Sequence, residues 1–528
     1  MFKSPRAIAF CFILALPLAP ALADEMTPVA QWWADVSALA SDAMEGRLTG
    51  TPGYDRAADY VISRLKAEGL KPAGVNGYLQ AIGLEQQFVD QDSSRASLVA
   101  ADGKEAPLKV GDQLLIAAGG GPRPAMVDAP LVFIGYGLNL PAQGYDDFAG
   151  QDLKGKVVVV MAGGPDTISG PIKSDARSAR NKALAKAGAL GIIALIPPKQ
   201  VEIAWTRQKL IAHQPGMYFT DLSLRDTADN FFTATLDPGQ SEILFTGSGH
   251  TFAEMSALSD ASKPAPRFAL AFRLKATIAA TRSPVHSANI VAQLEGVDPK
   301  LKSEFVVVSA HLDHLGVGEP INGDRINNGA MDDASGVAAV LDIAHRLKNG
   351  PRPRRSIVFA FFTGEEKGLL GSHYFAARPS VPKAGIVADM NFDMPLPLWT
   401  LKSVYIPGET ESTLGADARV VAARQGLAVV PDPLPDRNVF IRADQYSFVR
   451  EGVPSLFFKF GFAKDTPEFQ IEHDWRATRY HSPSDDLEQP IMKEEAVKLD
   501  AYVAALTAQV ANADTRPQWL PGSVFARH

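Results

Sequence analysis

Phe305-Val306-Val307-Val308-Ser309-Ala310-His311-Leu312-Asp313-His314 is the stretch on which the fold turns. A short apolar run, rich in β-branched residues, leads straight into imidazole and carboxylate. Two later stretches repeat the design. Ile357-Val358-Phe359-Ala360-Phe361-Phe362 runs into Thr363-Gly364-Glu365-Glu366, and Gly385-Ile386-Val387-Ala388-Asp389-Met390 into Asn391-Phe392-Asp393. Apolar runs of this length, broken here only by Asp389, predict strands buried on both faces. A fourth run at 454–460, with helical patterns such as 334–347 between the runs, completes a strand–helix alternation. It predicts an α/β fold whose central sheet is mainly parallel and sandwiched by helices. Ligands bind such sheets beyond the carboxyl ends of the strands. The polar clusters fall there.

Upstream, 28–80 reads as mostly helical, with Ala57, Tyr60, Val61 and Leu65 on one face. Gly69, Pro72 and Gly74 end that pattern. The run Ala118-Gly119-Gly120-Gly121-Pro122-Arg123-Pro124 marks a boundary. Strands at 131–135, 156–161 and 191–196, with a helix at 179–190, then form a self-contained set reaching about residue 265.

The chain has 528 residues, enough for two or three units, and a formal net charge of -7. That balance argues against nucleic acid as the main partner. Lys3 and Arg6 precede an apolar run at 7–18, and Ala21-Leu22-Ala23 gives a small-x-small cleavage pattern. Residues 1–23 therefore read as a signal peptide, and the product as periplasmic or secreted after cleavage near Ala23. No later stretch has the roughly 20 apolar residues of a membrane span, so stable membrane insertion is not expected. The one cysteine, Cys11, lies inside the signal. Any metal must then be held by oxygen and imidazole.

Two further motifs complete the polar set. Gly329-Ala330-Met331-Asp332-Asp333-Ala334-Ser335-Gly336 is a turn entering a helix, and Tyr480-His481-Ser482-Pro483 comes near the end. Each feature alone has a bland explanation. Asp332-Asp333 suits a helix N-terminus, and Glu365-Glu366 a solvated turn. Five of them in order beyond consecutive strands point instead to a two-metal hydrolytic centre. Such a centre needs a bridging carboxylate, further imidazole or carboxylate on each ion, and a free base. Zn²⁺ suits these donors, with Co²⁺ or Mn²⁺ as substitutes.

The motifs His-x-Asp-His-Leu-Gly, Gly-Ala-x-Asp-Asp-Ala-Ser-Gly, Thr-Gly-Glu-Glu, Asn-x-Asp-Met and Tyr-His-Ser-Pro stand here in one order. In this the chain resembles the zinc-dependent aminopeptidase, glutamate carboxypeptidase and transferrin-receptor superfamily. The stretch Met44-Glu45-Gly46-Arg47-Leu48-Thr49-Gly50-Thr51-Pro52-Gly53 is similar to an N-terminal signature of that family. The resemblance implies a zinc exopeptidase fold divided as follows: 24–124, the N-terminal part of the peptidase domain; 125–265, an inserted β-rich α+β protease-associated domain; 266–528, the main part with the site. It implies two Zn²⁺ per chain, one on His311 and Asp393, the other on Glu366 and His481, with Asp332 bridging. Glu365 would be the general base, Asp313 would orient His311, and Tyr480 would stabilise an oxyanion. His314 would pack or support rather than ligate. A cis peptide at Asp332-Asp333 is common in such relatives.

Met331 stands where relatives often carry a third acidic residue, and Met394-Pro395-Leu396-Pro397 replaces an apolar continuation. Both departures bear on the substrate pocket rather than on the ligands. The implied substrate is a peptide trimmed from its N-terminus. A carboxypeptidase holding a terminal carboxylate on Arg177 or Arg180, a one-zinc glutaminyl cyclase and a non-catalytic receptor-like protein are the rival readings. Oligomeric state stays open, a homodimer included.

Overall fold

The structure, a computed structural model, describes residues 1–2, 26–201, 203–437 and 439–526. The expected signal, with Lys3, Arg6, Cys11 and the cleavage pattern ending at Ala23, lies outside the described residues.

Two helices open the chain, α1 (Pro28–Leu39) and α2 (Pro52–Ala67). Each starts on a threonine whose hydroxyl accepts a main-chain hydrogen bond, Thr27 from Ala30 and Thr51 from Tyr54, and each has proline in its first turn. Ala57, Val61 and Leu65 are fully buried on α2, whereas Tyr60 is half-buried. Its hydroxyl reaches the edge of the core and bonds to Asp35 at 2.6 Å.

Strand β1 (Leu79–Ala100) then leaves for a second unit. That unit holds β2 (Met126–Phe133), β3 (Val157–Met161), helix α3 (Gly170–Lys186), β4 (Gly191–Leu195), helix α4 (Trp205–Ala212) and β5 (Phe232–Leu236). Strands β2, β3, β4 and β5 are parallel neighbours in that order. The chain returns along β6 (Phe268–Leu294), which lies antiparallel to β1 from Phe272–Ala100 to Ile290–Leu79. This unit has its own apolar core, and that core takes in Val89 to Ala118 as well as residues beyond 125.

The rest of the chain supplies β7 (Phe305–His311), α5 (Ser335–Asn349), β8 (Ser356–Phe362), β9 (Ile386–Asn391), β10 (Ser455–Phe457), α6 (Pro467–Thr478) and α7 (Lys493–Asn512). The strand order is β10-β9-β7-β8-β6, the first four mutually parallel and β6 antiparallel to β8. Val306, Val308 and Ala310 face a core shared with α1, α2, α5 and α7, while Phe305 and Val307 face another with Phe375 and Phe448. Each such valine or phenylalanine, fully buried, contributes about 1.5–3 kcal/mol, and the Ala310 methyl less. Two-sided burial is why these strands carry no alternation.

The fold is α/β, and around the site the sheet is parallel as expected. Taken whole, however, the sheet is mixed, because the ribbon of β1 and β6 runs antiparallel through both units. Among the described residues no helix is long and apolar enough to cross a membrane.

Candidate metal centre

Three neighbouring parallel strands end at one level. His311 is the last residue of β7 and pairs with Phe362 at the end of β8, three residues before Glu365. Ser309 of β7 pairs with Asn391, two residues before Asp393. The turn Ala330–Ala334 precedes α5, and its Asp332-Asp333 peptide is cis, as the resemblance implied. His481 follows α6, with a left-handed φ of 54° that few non-glycine residues adopt.

Asp332 sits at the centre. Its Oδ1 lies 3.2 Å from His311 Nε2, and its Oδ2 lies 3.3 Å from His481 Nε2. Glu366 Oε2 is 3.2 Å from the same His481 nitrogen, and Glu366 Oε1 is 2.7 Å from His314 Nδ1. Among the described residues, two groups have donor atoms within 4.8 Å of one another: His311, Asp332 and Asp393, and His314, Asp332 and Glu366. They share Asp332 alone. The structure thus brings together all five side chains expected to ligate.

His314 comes closer than sequence reasoning placed it. It bonds to the outer oxygen of Glu366, whereas His481 faces the inner oxygens of both Asp332 and Glu366. An ion between those inner oxygens would meet His481 first. His314 would then fix the rotamer of Glu366, the usual task of a group behind a ligand.

Asp313 departs from expectation in its means. The acceptor on His311 Nδ1 is the main-chain carbonyl of Asp313, at 3.0 Å, while its carboxylate Oδ1 stands 3.9 Å away. The carboxylate instead receives the Glu365 amide at 3.0 Å and the Glu366 amide at 3.4 Å. Asp313 orients His311 with its backbone and the Glu365-Glu366 turn with its side chain. Either way, Nε2 of His311 is left facing Asp332.

Electrostatics follow from packing so many carboxylates together. Burial pushes the Glu365 carboxyl well above the usual range, Asp393 and Glu366 add to this, and His311 opposes it. Burial would also raise Asp332 and Glu366, but the neighbouring imidazoles overcome it and hold both below their ordinary values. Burial alone would lower His481, yet Glu366 and Asp332 drive it up to about 10. Meanwhile His314 Nε2 and Asp393 Oδ1 are buried with no hydrogen-bond partner among the described residues. Buried polar atoms without partners are rare and call for an ion or water. Oxygen and imidazole donors, without sulfur, fit zinc.

Several supports carry no local sequence signal. Asp485 accepts from the amides of Met331 and Asp332 at 2.9 and 3.0 Å, holding the 330–334 turn from 153 residues away. Arg47, buried, donates to the carbonyls of Leu39, Leu312, Asn328 and Gly329. Lys459 donates to the carbonyls of Asp393 and Met394. From the second unit, Arg207 on α4 donates to the carbonyls of Tyr480 at 2.8 Å and Ala477 at 3.0 Å. That clamp holds the unusual backbone before His481. The Tyr480 ring lies 3.9 Å from the ring of His481, centre to centre. Arg177 and Arg180, proposed for a terminal carboxylate, instead donate to the carbonyls of Gly163 and Tyr136 in the second unit.

Comparison with known proteins agrees with this geometry. Residues 289–507 match the model of peptidase family M28. The chain is 36% identical over 111 residues to a probable zinc metalloprotease of Pyrenophora tritici-repentis, covering 21% of this chain and 25% of that protein. It is 33% identical over 145 residues to the probable lipoprotein aminopeptidase LpqL of Mycobacterium tuberculosis, covering 27% of this chain and 25% of that one. The matches thus span about a quarter of the length of these relatives. Among solved structures, an aminopeptidase from Aneurinibacillus sp. strain AM-1 superposes with a TM-score of 0.54 at 18% identity, over 92% of this chain and 95% of that one. At that identity the likeness speaks to the fold. Both donor clusters lie within the segment that matches the peptidase family M28 model.

Proposed function

We propose that this protein is an exported dizinc exopeptidase that removes N-terminal residues from peptides. One observation carries the reading: the two oxygens of Asp332 face two separate donor sets, with a further carboxyl, Glu365, on the same cavity. His311 and Asp393 would hold one zinc, Glu366 and His481 the other, and Asp332 both. Bound zinc would supply an acidified water and an electrophile for the scissile carbonyl. Glu365 takes the proton from the attacking water and returns it to the leaving amine. Burial, with Asp332 and Glu366 nearby, raises the Tyr480 phenol, so it stays protonated and able to donate to the developing oxyanion.

Two clusters around one carboxylate favour this reading over a one-zinc cyclase. The complete donor set favours it over a non-catalytic receptor. Arg177 and Arg180 each donate to a carbonyl of the second unit, which weighs against their holding a substrate carboxylate. A free-amine leucyl p-nitroanilide is expected to be hydrolysed about 100-fold faster than its N-acetyl form, since the acetyl group removes the ammonium. Equal rates would refute N-terminal recognition.

The second unit, read as an insert at 125–265, would serve the site through Arg207. Arg207→Ala should weaken binding of the ion at His481 by about tenfold, and Arg207→Lys should recover part of it. Competition with a chromophoric chelator measures this without reference to turnover. An unchanged affinity would mean that α4 is merely a neighbour.

A further inference from the structure

A small cavity of about 60 Å³ opens beside the candidate metal centre. It is lined by Asp332, Glu365 and Asp393 and by the cations Arg437, Arg442, Lys459 and Arg476. Every lining carboxylate among the described residues thus belongs to the ion-binding and base set. The cations form the rest of its charged wall.

Arg437 and Arg476 do not neutralise one another's surroundings fully. Arg437 Nη1 and the Arg476 Nε both donate to one oxygen of one carboxylate, Glu472 Oε1, at 2.7 and 2.5 Å. Two guanidiniums on a single carboxylate keep a net positive charge. Their side chains are only 21% and 14% exposed, so that charge is weakly screened. Arg476 also stacks on Tyr480 at 5.1 Å, and Tyr480 lies on His481. The cationic wall therefore stands one side chain away from the ligands. An apolar substrate side chain placed there would leave the excess positive charge over Glu472 uncompensated, whereas a carboxylate would balance it.

Resting on the exopeptidase reading above, we infer that Arg437 and Arg476 form a carboxylate-binding subsite, so that the preferred substrates present a carboxylate within one residue of the scissile bond. The source is the side chain of an N-terminal Glu or Asp residue. The terminal carboxylate of the departing residue would offer the same chemistry. The alternative role for the two arginines is a structural clamp joining 435–437 to α6 through Glu472.

Matched substrates separate these roles. With wild-type holoenzyme, kcat/KM for a glutamyl p-nitroanilide should exceed that for the isosteric glutaminyl compound by about tenfold or more. Arg437→Gln and Arg476→Gln should each collapse that Glu:Gln ratio toward about one, and Arg476→Lys should restore part of it. A clamp role would change rates but not the ratio. The second arm uses N-acetyl dipeptides with free or amidated C-termini. Cleavage of the free acid alone, lost on amidation, would assign the subsite to a terminal carboxylate. A wild-type Glu:Gln ratio near one, with no effect of amidation, overturns the subsite even if both variants fold poorly. Hydrolysis of any panel member keeps the peptidase reading alive in that event. No hydrolysis across the panel by zinc-loaded protein would overturn both.

Discussion

Glu365→Gln is expected to keep both zinc ions and lose about 10³-fold or more in kcat, the range in which general-base catalysis contributes. Glu365 lies outside both three-residue donor groups, and the proposed reading gives it the role of base rather than ligand. Its backbone is fixed by Asp313, which accepts the Glu365 amide at 3.0 Å, and glutamine keeps that bond. Size and local hydrogen bonding are retained. Only the capacity to take a proton goes. Metal analysis and kcat on the same sample test this, with a thermal melt to show that the fold survives. Loss of an ion would make Glu365 a ligand, and near-normal turnover would leave the proton transfer to some other group.

Much of the site was legible because its chemistry is local to strand ends. Apolar runs at 305–308, 357–362 and 386–390 announce themselves, and the polar residues that follow have no structural reason to recur. His311, Glu365 and Asp393 meet because parallel pairing aligns those ends. Four things were hidden. The ribbon of β1 and β6 alternates in exposure and carries charges, so 79–80 merged with the helical stretch before it and the sheet read as more parallel than it is. The acceptor on His311 is a main-chain carbonyl, which no side-chain pattern records. His314 looks like packing until its distance to Glu366 is known. Asp485 and Arg207 act from distant sequence and from another unit, and only tertiary structure places them. Local chemistry survives in sequence. Long-range support does not.

Asp332→Asn should do what no other single ligand change does and empty both metal positions at once. Asp332 alone belongs to both donor groups, and it reaches them through different oxygens. Asparagine keeps the shape but offers a neutral oxygen and an amide that repels a cation. Asp393→Asn, by contrast, touches the His311 group only. Zinc content should therefore fall from about two per chain to about one in Asp393→Asn and to well below one in Asp332→Asn. Stability gives an independent reading. An ion present at about 1,000 times its dissociation constant adds about 4 kcal/mol to the folded state. Zinc should raise the melting temperature of the wild type, raise that of Asp393→Asn less, and leave Asp332→Asn where it was. Activity should be lost in Asp332→Asn even at high zinc, because the two ions can no longer be held around one water. If Asp332→Asn retained a full pair of ions, or lost only one, the two donor sets would not depend on a shared carboxylate, and each would have to be treated as a separate site.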